Sequence, residues 1–259
     1  MKVIAKVVTK ERTEEITNGI ASEAENEIAK KITKVPDNDA LVQSLLRELT
    51  LVWLDFERRL SQVPIIRRLE TGNFTVDDYK TLLRNLRPQV VEGARWITRA
   101  ASSFSVEHAD LRSKVIEHAF DEHRDYEMLQ RDYVAVGGNL SEITRAERNI
   151  GTEALAAFLM NQASQPNPID LLGAMFIIEG LGEKMASRWA KQLQSNTGLK
   201  AAATTFLSYH GKNDDSHIAK MYAILTEDKL VAISHERIVK TARVVARLYA
   251  LQLEEIDNV

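Results

Sequence analysis

Only five prolines and eleven glycines punctuate this 259-residue chain, and between them run long stretches whose apolar residues recur at helical spacing. No segment alternates apolar and polar residues for long enough to read as a strand, so the pattern predicts an all-α fold. Leu41, Leu45, Leu46, Leu49, Val52, Trp53 and Phe56 mark one face of a first core helix that Val63-Pro64 ends. A short helix over 65–69 stops before Gly72. Thr75-Val-Asp-Asp78 then reads as a capping box for a helix over 79–102, which Pro88 is expected to kink near Arg87. Unbroken helices are expected over about 106–135, up to Gly137-Gly138, and over about 141–165, up to the loop Gln165-Pro-Asn-Pro168. An apolar helix over about 169–195 and two more over 200–226 and 227–256 follow. Residues 1–38 alternate Glu with Lys around Ile4, Ile16, Ile20, Ile28 and Ile32, and read as an amphipathic helical extension to a helical domain of residues 39–259. Such an extension suits an arm or an oligomer contact.

Charge and composition narrow the chemistry. A formal net charge of −3 with both signs interspersed makes no basic field of the kind that holds phosphates, so no nucleic acid partner is expected. Cysteine is absent, which removes disulfides, thiolate nucleophiles and thiolate metal ligands together. A transition metal would have to be held by His, Asp and Glu. No apolar run approaches the roughly 18 residues of a membrane span, and no signal-peptide pattern opens the sequence, so a cytoplasmic protein with no membrane partner is expected.

Three places concentrate metal-capable side chains. His210, Asp214 and His217 stand at i, i+4 and i+7, which in a helix puts all three on one face; Gly211, Asn213 and the paired aspartates equally suit a polar turn. His118, Glu122 and Asp125 share one face of the helix over 106–135, where dense charge also suits a solvated surface. Glu179 interrupts the apolar run 171–178, and a carboxylate there needs a partner, either an ion pair with Lys184 or Arg188 or a metal. Imidazole and carboxylate donors together suit iron, manganese or zinc. Trp53, Trp96 and Trp189 read as core or groove residues, and His108 and His235 as surface residues near helix ends.

In this order, an acidic helix, a lone Glu in an apolar helix and His-x3-Asp-x2-His, the motifs make residues 40–255 resemble the haem-oxygenase-like di-iron oxidases and oxygenases, a superfamily that includes the TenA thiaminases, the PqqC-like cofactor-synthesis enzymes and the CADD-type proteins. The resemblance implies a helical bundle of about seven to eight core helices. It also implies a metal site in which Glu122 matches the family's first Glu, Glu179 the Glu of the apolar helix, and His210, Asp214 and His217 the last ligands. The chain departs from the family where a His is usual three or seven residues after the first Glu: Asp125 and Leu129 stand there. Asp125 is an oxygen donor in its place, and His118, one turn earlier, is an alternative.

The function that the resemblance implies is a non-haem iron oxidase or oxygenase, di-iron in its full form, which uses dioxygen to oxidise a small organic substrate such as an amino acid, amine or fatty acid. No haem is expected, because haem oxygenases carry a proximal His in the first core helix and this chain has no His before His108. A thiaminase is disfavoured because those enzymes use a Cys. Two alternatives stay open: a metal-free, PqqC-like cofactor-biosynthesis enzyme, and a non-enzymatic helical binding protein. A homodimer is a further expectation, since dimers are common among the proteins resembled.

Overall fold

The computed structural model describes residues 40–227 and 229–258, without the side chains of 213–216, 218 and 226–233. The extension 1–38 lies outside the described residues. Among the described residues there are helices and turns and no strand. None of those helices is long and apolar enough to cross a membrane.

The first helix, α1 (Ala40–Leu60), buries the predicted stripe from Leu45 to Phe56 together with Leu60, and Pro64 opens α2 (Pro64–Glu70). The capping box forms as expected. Asp78 N donates to Thr75 Oγ1 (3.1 Å) and Thr75 N donates to Asp78 Oδ2 (2.9 Å), starting α3 (Val76–Ser103). This helix runs through Pro88 without ending there.

Two expected helices are each cut in two. The segment expected over 106–135 forms α4 (Ala109–Glu122) and α5 (Tyr126–Ala135), separated by a turn at 123–125. The segment expected over 141–165 forms α6 (Leu140–Thr144) and α7 (Ile150–Ala163). The second break follows from Asn149, which is buried and caps α7 by accepting from Thr152 N (2.8 Å). Its amide donates to Asn85 Oδ1 and to Gln252 O, tying α7 to α3 and to the last helix. A polar side chain used three ways in the interior outweighs continuation of the helix.

The apolar segment starts at α8 (Leu172–Leu181), passes through a π-helical turn at Gly182–Ala186, and continues as α9 (Ser187–Thr197), which Gly198 ends in the left-handed conformation. The chain closes with α10 (Thr205–Glu227) and α11 (Lys229–Glu254). Helix α8 is apolar on all sides, as a helix surrounded by others must be, and it packs against α11, α10 and α1. Gly173 permits the closest of these approaches: a Cβ there would lie 2.0 Å from Ile238 O of α11. Around this centre α3 packs on α4, α5 and α7, and α10 packs on the π turn, α9 and α5. Trp53, Trp96 and Trp189 are all buried in the resulting core.

Candidate metal centre

Four segments bring the candidate side chains to one place. Helix α4 supplies His118 and, at its last residue, Glu122. The turn after it is held by i→i+3 bonds, from Asp125 N to Glu122 O (3.3 Å) and from Glu127 N to Arg124 O (2.9 Å). With three residues per turn, side chains three apart eclipse, so the break that interrupts the expected helix aligns Asp125 with Glu122. Helix α8 presents Glu179, buried in apolar surroundings, three residues before the π turn. Such local insertions recur at functional sites. Helix α10 supplies His210 and His217.

These residues form two groups. Ligand-capable atoms of His118, Glu122, Glu179 and His217 all lie within 4.8 Å of one another, and so do those of Glu122, Asp125 and His210. Glu122 belongs to both. In the first group His217 Nδ1 lies 3.1 Å from Glu179 Oε2 and 3.5 Å from Glu122 Oε1, and His118 Nε2 lies 3.3 Å from Glu179 Oε1. The two imidazoles meet edge to face with centroids 5.0 Å apart. In the second group His210 Nε2 lies 3.3 Å from Asp125 Oδ2, and its ring rests against Phe206 at 4.4 Å.

His210 and His217, on one face of α10, do not meet at one point. Seven residues of helix rise about 10 Å, too far for one ion at bonds of about 2 Å, and the two imidazoles serve different groups. The side chain of Asp214, between them in sequence, lies outside the described residues. His118, an alternative in the sequence, stands inside the first group. Glu179 pairs with neither Lys184 nor Arg188; Arg188 reaches Glu70 instead. Leu129 is wholly buried in the hydrophobic core. His235, expected at the surface near a helix end, stands within α11 and is half-buried, with its Nε2 2.9 Å from Glu48 Oε1.

The electrostatics separate the two glutamates of the first group. Burial pushes the Glu179 carboxyl up, but the His118 and His217 imidazoles set against its two oxygens, with their positive charge, outweigh it and hold the group at about 2. Burial and then the negative charge of Glu179 push Glu122 up to about 7, against a smaller downward pull from His210. The buried atoms His118 Nε2 and Asp125 Oδ2 are near charged neighbours yet satisfied by no hydrogen bond. Because buried polar atoms are normally paired, an imidazole nitrogen and a carboxylate oxygen left in this way fit the donor set of a cation. Three imidazoles and three carboxylates suit iron.

Several contributing residues carry no signal in the sequence. Asp121 Oδ2 lies 4.0 Å from His217 Nε2 and 3.6 Å from Lys220 Nζ. Asp132 of α5 is wholly buried and binds the start of α10. Two apolar cavities flank the cluster. One reaches Glu122, Glu179 and His210, and the other reaches His118 and His217; Trp96 and Ile97 line both.

Comparison with known proteins agrees with this architecture. The structure is similar to a domain of unknown function with a haem oxygenase-like fold from Shewanella denitrificans OS217, at 19% identity and a TM-score of 0.73, covering 80% of this chain and 89% of that one. It is similar to a TenA homologue from P. horikoshii OT3 at 14% identity and a TM-score of 0.64, covering 83% and 97%. A TenA homologue from Pseudomonas syringae pv. tomato DC3000 shares 11% identity with a TM-score of 0.65, covering 83% and 93%. At these identities the likeness shows the fold alone. No curated protein matches the sequence. Residues 80–250, more than half of the chain and including the two donor groups, match a family described as iron-containing redox enzymes. The chain belongs to that family of haem-oxygenase-like, iron-containing redox enzymes.

Proposed function

We propose that the protein is a di-iron oxidase or oxygenase that uses dioxygen to oxidise a small organic substrate. The observation that carries this reading is the pair of donor groups sharing Glu122 at the end of an apolar cavity. His118, Glu179 and His217 would hold one iron, Asp125 and His210 the other, with Glu122 between them. Asp214 would be a further ligand, as the family likeness implies. Ferrous iron bound there would supply electrons to dioxygen and oxidising equivalents to the substrate.

The chain's own groups do the rest. Asp121 Oδ2 stands 4.0 Å from the outer nitrogen of His217, beyond hydrogen-bond reach, where its charge would favour a proton on that nitrogen. Phe206 supports the His210 ring. Trp96, Ile97, Ile178 and Leu207 line the cavity beside the donors and would keep bulk water from the reacting groups.

The test is anaerobic reconstitution with ferrous iron, followed by metal analysis and absorbance after mixing with oxygen. About two irons per chain are expected for a two-metal site, with Glu122→Ala losing both. His118→Ala and His210→Ala should each lose one, because each removes a donor from a different group. Iron at background, unaffected by Glu122→Ala, would sink the proposal and leave buried ion pairs in a helical scaffold.

A further inference from the structure

The cavity that reaches Glu122, Glu179 and His210 carries information about its occupant in what lines it. Leu82, Leu86, Phe206 and Leu253 are typical of its wall, and neither Lys nor Arg contributes to it. Its charged groups are Glu122, Glu179 and His210, all at the end formed by the donor cluster. An anionic ligand would find no cationic side chain of Lys or Arg on this wall to pair with. An ammonium ligand would have to compete for Glu179 with two imidazoles already in contact. Either charge would leave water for an apolar wall at high cost.

Two polar atoms on that wall are unsatisfied. Gln89 Oε1 and Trp189 Nε1 are buried without a hydrogen-bond partner, and both side chains line the cavity. One is an acceptor and the other a donor. Native interiors seldom leave such atoms unpaired, and ligand pockets are commonly apolar with a few polar groups that set orientation. The cavity beside His118 and His217 differs, since Lys114, Glu117 and Lys220 contribute to its lining.

From this we infer that this cavity takes a mainly apolar molecule with no net charge, whose neutral amide-like or hydroxyl group is read by Gln89 and Trp189. As the identity of the substrate this rests on the proposed oxidase function; as a binding property it needs no iron.

The experiment therefore uses the full chain freed of metal by chelation. Quenching of tryptophan fluorescence is followed on adding decanamide, decanoate or decylamine near neutral pH, with Trp96 and Trp189 as reporters in the cavity wall. Decanamide is expected to bind at least about tenfold more tightly than either charged analogue, the order of one unpaired or mispaired polar contact. Gln89→Leu and Trp189→Phe should each weaken decanamide by roughly five- to tenfold. Leu86→Trp, which fills the cavity, should abolish binding while circular dichroism stays helical.

Equal or tighter binding of decanoate or decylamine would overturn the inference, as would no binding of decanamide or indifference to Gln89→Leu and Trp189→Phe together. Because iron content is measured separately, loss of the metal reading leaves this result intact, and the reverse also holds.

Discussion

Asp132→Asn should weaken both the fold and the metal centre, through the start of helix α10. Asp132 Oδ1 accepts from Thr205 N (2.9 Å) and Thr205 Oγ1 (2.7 Å), while Oδ2 accepts from Phe206 N (2.9 Å) and Tyr79 OH (3.2 Å). The carboxylate thus satisfies two free amides at the first turn of the helix that carries His210, four residues beyond Phe206, at the end where the helix dipole favours negative charge. Asparagine offers one oxygen. Whichever way the amide turns, its NH2 faces either Thr205 N or Phe206 N, and a backbone donor cannot reverse as a hydroxyl can. The substitution therefore removes charge assistance and leaves one buried N–H unpaired, which together cost about 2–4 kcal/mol. For a domain of this size that corresponds to a melting temperature lower by roughly 5–15 °C. Urea denaturation checks the stability, and ferrous iron titration checks the site, where affinity in the His210 group should fall. Tyr79→Phe, which removes a single bond, should cost about 1 kcal/mol and combine with Asp132→Asn less than additively. Stability unchanged within about 0.5 kcal/mol, the range of neutral surface substitutions, together with unchanged iron affinity, would refute the argument.

Gly211→Ala should destabilise the protein by about 1–3 kcal/mol in chemical denaturation and lower iron loading, because the added Cβ would stand 2.1 Å from Ser187 Oγ and 2.5 Å from Ser187 N, and the backbone atom cannot swing aside. Iron loading at a fixed concentration should rise with pH through about 7, where Glu122 gives up its proton, since a ligand carboxylate must be ionised. In the metal-free protein the same group has a folded value above its unfolded one, so its contribution to stability is present at acid pH and lost as pH rises through about 7, which denaturation at several pH values would show. A flat iron-loading profile across that range would contradict the assignment of Glu122.

The candidate residues divide by how they show themselves in the chain. Glu179 is conspicuous because a charge interrupts an apolar helix, and His210 and His217 because scarce imidazoles fall at helical spacing. The role of Asp125 is different. It depends on a turn at 123–125 that neither glycine nor proline marks, which exists because α4 and α5 pack separately, α4 on α3 and α5 also on α10. Gly211 suggested a turn in the sequence, yet it lies inside α10 and serves the approach to Ser187.

The chain alone determined an all-helical fold, the caps that start α3 and end α9, and a chemistry limited to nitrogen and oxygen donors, because periodicity, capping and the absence of cysteine are local or compositional properties. Tertiary structure decided which donors share an ion, the place of Glu122 between the two groups, the support of α10 by Asp132, and the apolar cavity ending at the cluster. Those depend on distances between side chains tens of residues apart, and such distances are set by how helices pack, with glycines at 173 and 211 allowing the closest contacts. Helical spacing names a face; only packing says what that face meets.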